Sequence, residues 1–173
     1  MAALTTVQIV AIETADLRTL SSTQLRALTT EQIQALTTDQ YASLTTSQLN
    51  NLTSTQVQAF ETADIAALSS AQVSNLVTSH IPLLSTAQIV AIETEDLAAM
   101  SSNQIRALTT AQVAALTTEQ IVALGTAQAA ALLSTQTAAL TTAQAAALET
   151  ADLAALTTLS LRSITTASLV ALG

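Results

Sequence analysis

The sequence predicts an all-α fold: an elongated solenoid of short capped helices, one helix to each eight-residue repeat. Three observations point there. An octad runs through the chain without a slip in register, each octad carries a helix-start signal, and its apolar spacing fits a helix face better than a strand. Numbered from its Leu, the octad puts position 1 at Leu4, Ile12, Leu20, Leu28 and every eighth residue to Leu172, which gives twenty-one complete octads in 173 residues. Position 3 is Ser or Thr in all of them, position 5 is Gln in fourteen, position 6 is mostly Ile, Leu or Val, and position 8 is mainly Ala.

The spacing decides between helix and strand. In a strand, positions 1 and 6 would point to opposite faces, because side chains alternate with period two. In a helix, position 6 and the next position 1 lie three residues apart on one face. Ala and Leu favour helix, and two glycines are too few for a turn-rich β-solenoid. A β-solenoid stays as the alternative, because Thr at two positions favours strand. One continuous helix is a weaker match: eight residues at about 100° each move the Leu by about 80° per octad, so no straight seam forms.

The start signal is a capping box. In Leu36-Thr37-Thr38-Asp39-Gln40-Tyr41, Thr37 fits an N-cap and Gln40 the N3 position, while Leu36 and Tyr41 occupy the two places of a hydrophobic staple. The pairs Thr29/Gln32, Thr45/Gln48, Thr109/Gln112 and Thr117/Gln120 repeat the arrangement. Position 3 is the other candidate for the cap. A helix of under two turns cannot stand alone in water, so neighbours must bury its Leu and aliphatic face. With two octads per coil the unit is a sixteen-residue helical hairpin and the whole a rod of roughly 100 Å. Three octads per coil fit the repeat as well.

Positions 4 and 7 vary and are expected to face solvent. Position 4 carries Glu31, Asp39, Glu95, Asn103 and Glu119, and position 7 holds all four arginines, Arg18, Arg26, Arg106 and Arg162. Ala at position 8 lets adjacent helices approach closely. A longer period lies above the octad: QIVAIETADL at 8–17 returns as QIVAIETEDL at 88–97, which marks a block duplication near 5–84 and 85–164 inside one repeat domain, 1–173. The octad Leu76–Leu83, just before the second block, contains Pro82 and predicts a local kink. Toward the C-terminus Ser160 and Ser168 replace Gln and Leu159 takes a solvent position, as in a capping repeat or through simple drift.

Composition excludes several functions. Twelve acidic and four basic residues leave a net charge of −8, which argues against nucleic acid and against anionic membrane surfaces. No run of eighteen apolar residues exists, so no membrane insertion is expected. The start, MAALTT, has neither the basic nor the apolar region of a signal peptide, and Met1 enters partway through an octad, as in a segment cut from a longer array. There is no cysteine for disulfides or thiolate metal sites.

No residue set is built for chemistry. His80, the only histidine, has no acidic neighbour in sequence and reads as a substituted position 5. The many Ser and Thr hydroxyls recur at every helix start, and none stands out as an activated nucleophile. Asn51-Leu52-Thr53 is a glycosylation sequon of the kind expected by chance in a Thr-rich chain. Four octads pair acids, Glu13/Asp16, Glu61/Asp64, Glu93/Asp96 and Glu149/Asp152; an acidic helix cap explains them better than a cation site, which needs six or more oxygens. No catalytic, cofactor-binding or metal residues are therefore predicted, and no enzyme. A regular Thr and Ala face raises ice binding, but position 2 varies to Val77, Gly125, Leu133 and four Glu, and position 3 is expected to be engaged in capping.

LTTEQIQAL and LTTAQVAAL resemble the octapeptide arrays of very long, repetitive bacterial proteins, described as adhesin-like or haemolysin-like and secreted. The resemblance implies a stalk, spacer or fibre-forming segment of a larger surface or secreted protein, hence an extracellular or cell-surface location. The glycine-rich calcium nonapeptides of type I secreted proteins are absent, so calcium-dependent folding does not carry over. LTTEQIVAL is also similar to the first helix of transcription-activator-like effector repeats, but those are several times longer and basic. Two partner classes follow: copies of the chain joined end to end, and a protein or surface held on the variable face.

Overall fold

Each octad forms one helical turn and a half, and the reason is local. In the computed structural model, which describes residues 3–165, nineteen short α-helices and one 3-10 helix succeed one another from Thr6–Val10 to Thr158–Ser163, with no strand among the described residues. Position 2 is the N-cap and position 3 the first helical residue. Thr37 has φ −77° and ψ 159°, its hydroxyl accepts the Gln40 N–H, and the Gln40 side chain accepts the Thr37 N–H. The helix ends when the residue at position 1 accepts no further turn: the Leu36 N–H reaches the Ile33 carbonyl in a tight three-residue closure. Positions 1 and 2 then return to extended backbone and the next helix begins. Among the described residues none has positive φ. The corner thus needs no glycine, which is how Thr, at ease in extended backbone and a good cap, can hold it.

Packing gives the octads their stack. Position 1 is buried from Leu28 to Ile164 and position 6 from Ile9 to Ala145, and most of these residues join one core cluster, with Leu4, Ile12, Leu20 and Leu153 partly buried against it. Positions 4 and 7 mostly face solvent, as their variability implies. Helix Thr30–Gln34 lies against both Thr6–Val10 and Ser54–Gln58, and the same step of three octads recurs along the chain. The sixteen-residue hairpin expected from two octads per coil is therefore replaced by a three-sided coil. At three octads per coil the twenty described octads span about 60–65 Å, in place of the 100 Å rod. The side-chain amides fix this step, because their bonds reach 28 and 31 residues back, into the coil three octads away.

Octad Leu76–Leu83 departs from the rule as Pro82 demands, with a 3-10 turn over Ile81–Leu83 where its neighbours have an α-helix. It still packs between helices Ser54–Gln58 and Ser102–Ala107. Asn50 braces it: its Nδ2 donates to the Asn75 carbonyl at 2.7 Å, and its Oδ1 accepts the Val77 N–H at 2.9 Å. Ser168 lies outside the described residues.

Candidate functional site

The most organised chemistry in the molecule is inside it. Every position-5 Gln from Gln32 to Gln144 is buried, and both ends of its amide are used. For Gln112, Oε1 accepts the Thr109 N–H at 2.8 Å, completing the cap of its own helix. Its Nε2 donates to the Ile81 carbonyl at 2.8 Å and the Leu84 carbonyl at 2.7 Å, 31 and 28 residues back in the neighbouring coil. The 28-residue bond recurs at Gln40, Gln48, Gln56, Gln72, Gln104, Gln120, Gln128, Gln136 and Gln144. These carbonyls close the preceding helix end, so one side chain starts a helix and ties off another. Each such bond contributes about 0.5–1.5 kcal/mol net, and leaving its partner buried and unmade costs about 1–3 kcal/mol.

This ladder is what sequence reasoning missed. The signal was present: a capping box needs only an acceptor at N3, which Glu supplies equally well. A strong preference for Gln means that the amide N–H₂ is needed too.

At three octads where position 5 is not Gln, another donor takes up the loss. Asp64 accepts the Glu61 N–H at 2.8 Å but brings no amide, and the Ile33 carbonyl 31 residues back is met by the Tyr41 hydroxyl at 2.7 Å. Burial pushes the Asp64 carboxyl up to about 6, against the lowering effect of its bond to the Glu61 backbone and of the Tyr41 hydroxyl. Burial, with the neighbouring acids, pushes the Tyr41 hydroxyl upward. Asp96 accepts a bond from the Ser70 hydroxyl. Ser160 is short but still donates to Leu132, 28 residues back, at 2.8 Å. His80 bonds the Leu52 carbonyl, again 28 residues back, while its Nδ1 is buried without a partner. That leaves Nε2 as the donor and the ring neutral, and burial holds its pKa below the usual value. His80 is a ladder rung, with no orienting carboxylate.

The acid-pair octads are less uniform than an acid cap requires. Only Glu61/Asp64 closes the N-cap N–H onto the carboxylate; Glu13, Glu93 and Glu149 make no side-chain cap bond. No two of the four octads are separated by the three-octad step that would stack them. Gly125 and Leu133 lack a capping oxygen, yet their N–H groups still bond Gln128 and Gln136 at 2.9 and 2.8 Å. Position 2 therefore tolerates change because the Gln half of the box survives. Asn51 is exposed, and its Nδ2 donates to the Ser47 carbonyl at 2.7 Å.

On the outside, a cleft of about 460 Å³ crosses three coils, lined in part by Thr62, Ala66, Val90, Ile92, Glu93 and Thr117. Gln120 also lines it, but its amide is already bonded to the Ile89, Val90 and Ile92 carbonyls. Among the described residues no three His, Asp or Glu side chains gather as a metal would require. No described helix is long and apolar enough to cross a membrane.

The family model of the ALTTAQ repeat matches residues 9–46, 57–91, 89–126 and 145–173, well over half of the chain. No match was found among curated proteins.

Proposed function

Taking as premise that the chain belongs to the ALTTAQ repeat family, we propose that it is a non-enzymatic stalk or spacer within a larger bacterial surface or secreted protein. One observation carries the reading: the near-uniform positions 1, 5 and 6 face inward and bind coil to coil, while the outward positions 4 and 7 vary. Uniform interior and variable exterior are what a length-setting element needs, because its job depends on cohesion along one axis. The likeness of LTTEQIQAL and LTTAQVAAL to octapeptide arrays of adhesin-like and haemolysin-like proteins supports the surface location. The alternative, a protein- or surface-binding module, draws support from the cleft around Glu93.

The spacer reading predicts that length scales with octads. Deleting residues 108–131, three whole octads, brings Gln136 over the Ile81 and Leu84 carbonyls that Gln112 now holds. Small-angle X-ray scattering should show a folded particle shortened by about 9–10 Å, one coil. Unfolding, or an unchanged length, would overturn it. A compact particle with a radius of gyration near 16 Å for the full chain would sink the solenoid itself.

A further inference from the structure

The outer cleft lies at a joint between coils that no glutamine ties. Asp96, at position 5 of octad 92–99, has no amide to reach back to Ile65 and Leu68, as Gln104 reaches the Val73 and Leu76 carbonyls. Octads 60–67 and 92–99, which both contribute to the cleft, therefore lack the two bonds that close the joint at Gln104. Much of the lining is apolar: Ala63, Ala66 and Val90 are exposed, Val90 by 39 %. Acidic residues border it. Glu93 lines the cleft and makes no side-chain cap bond. Exposed Glu61 adjoins the lining residue Thr62, exposed Glu95 adjoins Thr94, and exposed Glu119 lies between Thr117 and Gln120. Glu95 and Glu119 share position 4 and stand one coil apart. No basic residue occurs in sequence between Arg26 and Arg106 to offset them.

From this apolar cleft and its acidic border we infer that it docks a cationic, partly apolar segment of a partner protein. An aliphatic side chain, or the stem of a lysine or arginine, covers Ala63, Ala66 and Val90, and the charged head meets the carboxylates at the border. Apolar contact supplies the affinity, and the carboxylates select the sign, because an anionic segment would meet like charge. The net charge of −8 draws the same partner in from a distance. A second copy of the chain fits less well. Its four arginines lie in four different octads, so it offers no run of positive charge to match Glu93, Glu95 and Glu119. The inference rests on the binding-module reading of the cleft and leaves the spacer reading untouched, since a spacer needs no occupant there.

Fluorescence anisotropy with the 173-residue chain tests it, using labelled peptides of equal length that alternate leucine with arginine, serine or glutamate. The arginine peptide should bind saturably, the serine peptide more weakly and the glutamate peptide not at all. Glu93→Gln/Glu95→Gln should weaken the arginine peptide by about five- to tenfold, the size expected for two exposed ion pairs. Glu13→Gln/Glu149→Gln changes the net charge equally, in octads that do not line the cleft, and should shift affinity by less than about twofold. Ala66→Phe fills the cleft without altering charge and should abolish binding, with circular dichroism melts checking that each variant is folded. Equal weakening by the two double variants would mean attraction to net charge alone and would overturn the site. So would an arginine peptide that does not saturate, or one that binds Ala66→Phe as tightly as wild type. A serine or glutamate peptide that binds as tightly as the arginine one, and is blocked by Ala66→Phe, would overturn the cationic partner but keep a binding module. Binding of none of the three would remove the module as well.

Discussion

The first coil and the coils around Gln112 contain the same side chains in the same local structure, and they differ in what those side chains are worth. Gln24 caps its helix as Gln112 does, through bonds of 2.9 and 2.8 Å to the N-cap N–H. Only Gln112 also has a coil below it, and so only its amide nitrogen is bonded. The capping box is thus a local device that each octad carries by itself, whereas the ladder belongs to pairs of coils. A helix too short to persist alone becomes stable by the second, not the first.

The largest way to break this comparison is through the core. Leu116→Ala removes a buried position-1 side chain and should lower stability by about 2–5 kcal/mol in denaturant unfolding, while Leu4→Ala, half-buried in the first coil, should cost clearly less. Equal losses would mean that the ends are packed like the middle.

Next comes Asp64, the interior rung without an amide. Its folded pKa of about 6 lies above its ordinary 3.8, so the folded chain binds this proton more tightly than the unfolded one. The stability it contributes is present below about pH 4 and is lost as the pH rises through 6. Asp64→Asn should remove that slope and stabilise the chain at pH 7 by about 1–3 kcal/mol. His80 works in the opposite sense: its lowered pKa gives stability above its ordinary value that is lost as pH falls. His80→Gln should flatten the acid side of the stability profile.

Smaller again is Tyr41→Phe, which strips the Ile33 carbonyl of its stand-in donor and should cost about 1 kcal/mol. Because the Tyr41 hydroxyl also helps to hold the Asp64 carboxyl down, the variant should move the Asp64 midpoint further up, readable by carbonyl-labelled NMR titration.

Much of the architecture was legible in the octad. Its helix, its cap at position 2 and its buried positions 1 and 6 all follow from rules that act within about eight residues. The number of octads per coil was not legible there, because a uniform repeat looks the same at any coil length. It was written in the exceptions. Asp64 is relieved by Tyr41, Val77 by Asn50 and Asp96 by Ser70, at separations of 23, 27 and 26 residues that circle the three-octad step. Tyr41 and Phe60, the only aromatics, meet edge to face at 4.9 Å. Irregular residues that compensate one another report the fold's long-range spacing where regular ones cannot. The outer surface stayed illegible for a different reason: residues at positions 4 and 7 face water and obey no packing rule.

The central claim, that the Gln amide holds coil to coil, is tested most directly by unfolding Gln112→Glu and Gln24→Glu side by side in denaturant. Both keep an oxygen for the cap and lose the amide donor. The ladder predicts a loss of about 3–5 kcal/mol for Gln112→Glu, whose carboxylate would face the Ile81 and Leu84 carbonyls with no proton to offer. It predicts a change within about 0.5 kcal/mol for Gln24→Glu. Equal shifts in the two variants would show that capping alone accounts for Gln, and the ladder would not be what joins the coils.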